Sequence, residues 1–122
     1  MKSLARTYDL RNRLIEHSVL VCRVAERLPS TRIGRHVAAQ LLCCGTAPAA
    51  HHAEAQSSES RRDFIHKLKL GLKELREALV WLELTDRLGI SDSNSNREAI
   101  AETDELIRIL HASVATARRN AP

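Results

Sequence analysis

Leucine, valine, alanine and isoleucine recur at intervals of three and four along most of the 122 residues. That spacing gathers apolar side chains on one side of an α-helix. Four segments carry it. The first covers about residues 8–28, with Leu14, Val21, Ala25 and Leu28 in one stripe flanked by Leu10, Val24 and Ile15. It stops at Leu28-Pro29-Ser30, because proline disfavours helical backbone in the residue before it. The second covers about 31–56, starts at a Ser30 or Thr31 cap, and aligns Ile33, Val37, Leu41 and Cys44. Pro48 lacks a backbone donor and Gly45 loosens the chain nearby, so a kink rather than an end is expected there. The third covers about 61–88, with Phe64, Leu68, Leu72, Leu75, Leu79 and Leu82 as its stripe. Ser60 and Asp63 begin it with a variant capping box, and Gly89 closes it. The fourth covers about 96–118, with Ser95 and Glu98 as a capping box and Ile100, Ile107, Leu110 and Val114 as its stripe.

Long amphipathic helices joined by short polar turns predict an all-α, up-down-up-down antiparallel four-helix bundle, a single domain over residues 1–122. The third helix carries a second apolar set, Leu70, Val80, Trp81 and Leu84, roughly opposite the first. One stripe suffices for a monomer's core. The second is therefore expected to be an oligomer interface with Trp81 as its anchor, in an assembly of copies of the chain.

Composition sharpens this picture in two places. The cysteines are Cys22, Cys43 and Cys44. An odd count with two adjacent residues makes no disulfide framework, so they read as buried free thiols of a reducing cytosol. No run approaches the roughly 20 apolar residues of a membrane span, and no signal-peptide core is present. A cytoplasmic protein with no membrane association is the expectation.

Charge adds a candidate function. The formal net charge is +4, and the excess lies in residues 1–62, which hold ten Lys/Arg against five Asp/Glu. On the third helix Arg62, Lys69, Lys73 and Arg76 project within about 60° of one another. Arg32 and Arg35 stand at the start of the second. Repeated in each copy of an oligomer, these cations would present a polyvalent field to the backbone of RNA or DNA. Aromatic residues for base stacking are absent from the stripe, so weak sequence preference is expected. The competing reading pairs Lys69, Lys73 and Arg76 with Glu77, Glu83 or a neighbouring subunit. It makes the chain a protein-interaction bundle that binds no nucleic acid.

Chemistry has little footing. His51, His52, Glu54, Asp63 and His66 cluster around the second turn, but a di-metal bundle needs matching Glu-x-x-His sets on further helices. No metal and no cofactor are expected. There is no phosphate-cradling glycine loop and no nucleophile elbow. Ser57, Ser58 and Ser60 read as turn and cap residues, so the chain is expected not to be an enzyme.

Several stretches carry a family resemblance from Tyr8 to about Leu110: Leu28-Pro29, Gln40-Leu41, Gly45-Thr46 leading to Ala53-Glu54-Ala55, Ser60-Arg61-Arg62-Asp63-Phe64-Ile65-His66-Lys67-Leu68, Leu72-Lys73-Glu74 and Trp81-Leu82-Glu83-Leu84. The chain resembles the bacterial four-helix-bundle proteins encoded in reading frames inserted in 23S rRNA genes, the intervening-sequence proteins. The resemblance implies a four-helix bundle assembling as a ring-like homo-oligomer, a homopentamer, whose function is mostly unassigned. That family is similar to the accessory variability protein of diversity-generating retroelements, a basic pentameric barrel that binds nucleic acid and associates with a reverse transcriptase. By that analogy RNA or DNA and a reverse transcriptase are implied partners. The chain departs from the family pattern at Ala50-His51-His52, where a small residue followed by Asn is usual, and at Pro48, where a β-branched residue is common.

Overall fold

Three of the four helices begin at a side-chain cap. The computed structural model describes residues 9–120, folded as α1 (Leu10–Glu26), α2 (Arg32–Gln56), α3 (Arg61–Leu88) and α4 (Ser93–Arg119). Thr31 Oγ1 accepts from the Gly34 amide and Ser60 Oγ from the Asp63 amide, each at 3.0 Å. Each cap satisfies a helix-start donor that would otherwise lack a partner. Gly89 ends α3 with φ +65, a left-handed conformation that favours glycine. The Tyr8 start expected for the first helix lies outside the described residues.

The cap of α4 corrects one expectation. The helix begins at Ser93, not Asn96, and the Ser95–Glu98 box does not form. Asp92 is the cap, its Oδ2 accepting from the Ser95 amide at 3.1 Å and the Ser95 hydroxyl at 2.7 Å. The earlier start turns Asn96 into the interior, where its Nδ2 donates to the Leu82 carbonyl at 3.0 Å.

Consecutive helices pack against one another, and α4 returns to α1, so each helix has two neighbours in a square bundle. Its core has two apolar layers. One gathers Leu14, Ala55, Leu68, Leu72, Leu75, Leu106, Leu110 and Val114. The other gathers Val21, Val24, Ala25, Leu28, Val37, Leu41, Leu82 and Ala99. Between them in sequence stand His17 on α1 and Thr103 on α4, both buried.

The expected stripes largely face inward, with exceptions set by the 100° step between neighbouring residues. Ile33 is 54% exposed, because Gly34 takes the inward position. Phe64, Leu79, Ile100 and Ile107 are half-buried. In α4 the inward line runs instead through Asn96, Ala99, Thr103 and Leu106 before reaching Leu110 and Val114. The cysteines divide as well. Cys44 is buried, Cys22 is half-buried and Cys43 is exposed, since adjacent helical residues cannot share one face.

Helix α2 continues unbroken through Pro48, and the small residues around it let α1 come close. A Cβ placed on Gly45 would lie 2.5 Å from Val21 Cγ1. Ser18 Oγ reaches across this contact to the Gly45 carbonyl at 3.0 Å.

Candidate nucleic-acid and assembly surfaces

The third helix turns Arg62, Lys69, Lys73 and Arg76 to solvent. Their positions recur at seven, four and three residues, so they form a ridge along about 21 Å of helix axis. Among the described residues none of the four has an ion-pair partner. Glu77, a proposed neutraliser, instead accepts from Trp81 Nε1 at 3.2 Å. The ridge is thus an exposed cationic line on the outer side of the bundle, with Glu77 flanking it one turn from Lys73.

Arg32 and Arg35 stand on the neighbouring helix. Helices α2 and α3 run antiparallel, with His36 meeting Trp81 edge-on at 5.7 Å between ring centroids. This pairing places the start of α2 beside the end of α3, whereas Arg62 is in the first turn of α3. The two α2 arginines therefore lie far from Arg62, and Arg35 stands about 9 Å of helix axis beyond Arg76. Arg35 Nη1 donates to the Ser30 carbonyl at 3.0 Å, which holds it over the α1–α2 turn.

The expected interface residues also divide. Leu70 and Trp81 are half-buried, and Trp81 packs on the layer containing Leu41 and Leu82. Val80 is 63% exposed and lies in line with the cationic ridge. Leu84 is exposed, as are Leu88 one turn beyond it and Ile33 at the start of α2. The antiparallel pairing brings Ile33, Leu84 and Leu88 to one end of the α2–α3 face. Ile33 and Leu88 were not expected there. Leu88 could have been found as an apolar residue off the α3 core stripe, whereas Ile33 was hidden because it continues the spacing of Val37 and Leu41.

On the opposite side, the α1–α4 seam opens into a groove of about 500 Å³. Glu16, Val19, Leu20 and Arg23 line it from α1, and Glu98, Ala101, Glu102 and Glu105 from α4. Arg13 clasps the seam, with Nε and Nη2 donating to the two Glu102 carboxylate oxygens at 2.9 Å each. Its Nη2 also lies 2.9 Å from Glu105 Oε1. The hydrogen bond to Glu102 is the main reason the guanidinium is held above its ordinary pKa. His17 forms part of the groove wall, and burial lowers its pKa to about 4 against a smaller opposing pull from Glu102.

The remaining candidates resolve simply. His51 Nδ1 pairs with Glu54 Oε1 of its own helix at 2.9 Å, while His52 turns inward and burial lowers its pKa. Among the described residues no three His, Cys, Asp or Glu side chains converge as a metal site. Burial, reinforced by Glu77 and Glu74, pushes the Cys44 thiol up to about 12, far from a reactive thiolate. None of the described helices is long and apolar enough to cross a membrane.

Comparison with known proteins agrees with this architecture. Residues 6–112 match the family model for the 23S rRNA-intervening sequence protein. The chain is similar to the solved structure of a protein of unknown function from the S23 ribosomal protein family of Bacteroides thetaiotaomicron VPI-5482. The two share 27% sequence identity at a TM-score of 0.79, over 85% of this chain and 96% of that one. No curated protein matches the chain.

Proposed function

Because this chain belongs to the 23S rRNA-intervening sequence protein family, we propose that it is a non-enzymatic homo-oligomer, a pentamer in its simplest form, that holds RNA or DNA by the phosphate backbone. It acts in the cytoplasm as an accessory or scaffold factor. A reverse transcriptase is a candidate protein partner by analogy with retroelement accessory proteins. One observation carries the reading: Arg62, Lys69, Lys73 and Arg76 are exposed in one line and make no ion pair among the described residues. Lysine and arginine in such a line meet successive phosphates and release their counterions. Oligomerisation repeats the ridge once per copy, so weak single contacts sum to useful avidity. Arg32 and Arg35, on α2 beyond the Arg76 end of the ridge, extend the contact.

The test is fluorescence anisotropy with a labelled structured RNA and a DNA of equal length, across a salt series. Binding should weaken steeply as salt rises. Reversing the four ridge charges to Glu should abolish binding while light scattering shows an unchanged oligomer. Absence of binding at low salt, or binding that survives the reversal, would leave a protein-interaction bundle as the better description.

A further inference from the structure

The bundle leaves one aromatic pair open to solvent. His36 on α2 meets Trp81 on α3 edge-on, with 5.7 Å between ring centroids. Trp81 packs on the layer containing Leu41 and Leu82 yet is only half-buried, and His36 is exposed. Trp81 Nε1 donates to Glu77 Oε2 at 3.2 Å, which holds the indole from its own helix. The two rings therefore brace each other across the α2–α3 seam, in one orientation, at the surface.

Cations flank the pair. Arg32 is exposed one turn before His36, on the same face of α2. On α3, Lys73 of the cationic ridge lies about two turns before Trp81 and about 80° round the helix from it. Between Lys73 and the rings the surface carries exposed Val80 and Leu84, and Glu77 there is engaged by the indole. Glu83 and Asp86 fall about 160° and 140° round α3 from Trp81, so they do not share its side. On α2, residues 32–53 contain no Asp or Glu.

We infer that His36 and Trp81 form a stacking station for one unpaired base, so that this surface prefers single-stranded to double-stranded nucleic acid. The inference rests on the phosphate-backbone reading above and names the class of strand. Every base has a flat face that an indole or imidazole can receive, and such stacking tolerates any sequence. Phosphates on either side of the stacked nucleotide meet Arg32 and Lys73, while Val80 and Leu84 cover the apolar edges of base and sugar. The rings are already braced, so little freedom is lost when the base arrives. In a duplex the base faces are covered by their neighbours, and reaching His36 requires taking a nucleotide out of the stack at added cost. The ridge holds either form by its phosphates, and the ring pair rewards one of them.

Trp81 is the sole tryptophan of the chain, so intrinsic fluorescence reads this station alone. The full chain is titrated with oligo(U), oligo(dT), a duplex of equal length and an abasic strand carrying the same phosphates. Both single strands should quench the indole as they bind, and quenching by one alone identifies that sugar as the ligand's. The duplex and the abasic strand should bind about tenfold more weakly, the loss of one stacked base, and leave the emission unchanged. His36→Ala, at an exposed position, should lower single-strand affinity about tenfold and leave duplex affinity as it was. Single strands that bind without quenching, or a His36→Ala variant that weakens strand and duplex equally, would overturn the station while leaving backbone binding intact. An α2–α3 contact with a purely structural role would give that result. Binding of neither strand nor duplex at low salt would overturn the backbone reading and this inference together.

Discussion

His17 on α1 donates through Nε2 to Thr103 Oγ1 on α4 across 2.8 Å of bundle interior. The direction follows from Thr103, whose own hydroxyl donates to the Ala99 carbonyl at 2.6 Å. Nδ1 of His17 is therefore a bare acceptor, buried without a hydrogen-bond partner among the described residues. The neutral ring fits this place and the imidazolium does not, since protonation would add a second buried donor in a poorly solvated site.

A pH dependence of stability follows. The folded-state pKa of His17, about 4, lies below its ordinary value of 6.5. As pH falls, the unfolded chain takes up the proton first. The stabilisation is complete above about pH 6.5 and lost as pH approaches 4, a span worth about 3 kcal/mol at most. His52, also lowered by burial, acts in the same direction. Urea midpoints should fall across this window, and His17→Leu should flatten most of the slope.

The close approach of α1 and α2 predicts a steric outcome. Gly45→Ala forces a methyl against Val21 and should cost about 1–3 kcal/mol, the usual range for overpacking. Paired with Val21→Ala, the added methyl meets open space, so the double variant should lose less than the sum of the single losses. Thermal unfolding of the three variants measures this.

Helix α4 tests which residue is its cap. Asp92→Ala removes the acceptor for the Ser95 amide and should cost about 1 kcal/mol. Ser95→Ala leaves the backbone contact in place and should cost less. The reverse order in urea unfolding would restore the later helix start.

The adjacent cysteines should differ in chemistry. Iodoacetamide at pH 8 should alkylate exposed Cys43 while Cys44, buried and raised to about 12, stays unmodified in the folded protein. Peptide mass mapping reads the two sites separately.

These residues also show where periodicity in the chain informs and where it misleads. The inward line of α3 is legible because Leu68, Leu72, Leu75 and Leu82 are large and regularly spaced. In α4 the larger Ile100 and Ile107 draw attention from a line containing Asn96, Ala99 and Thr103, which carries less apolar signal. His17 was findable: it falls three residues after Leu14 and four before Val21, so the register alone demands an inward position. The cationic ridge was legible for a similar reason, since one helix holds all four residues. The α1–α4 groove was not, because its walls come from helices at opposite ends of the chain and no local pattern records their meeting.

The Arg13–Glu102 clasp has a kinetic meaning beyond its geometry. It joins residues 89 apart, while the other three seams join consecutive helices. Closing a longer loop forfeits more chain entropy, so helical hairpins form readily and the first helix completes the bundle late. The same order holds in reverse. Amide hydrogens of α1 should exchange through a partial opening that leaves α2, α3 and α4 together, making this seam the hinge along which the folded protein first comes apart.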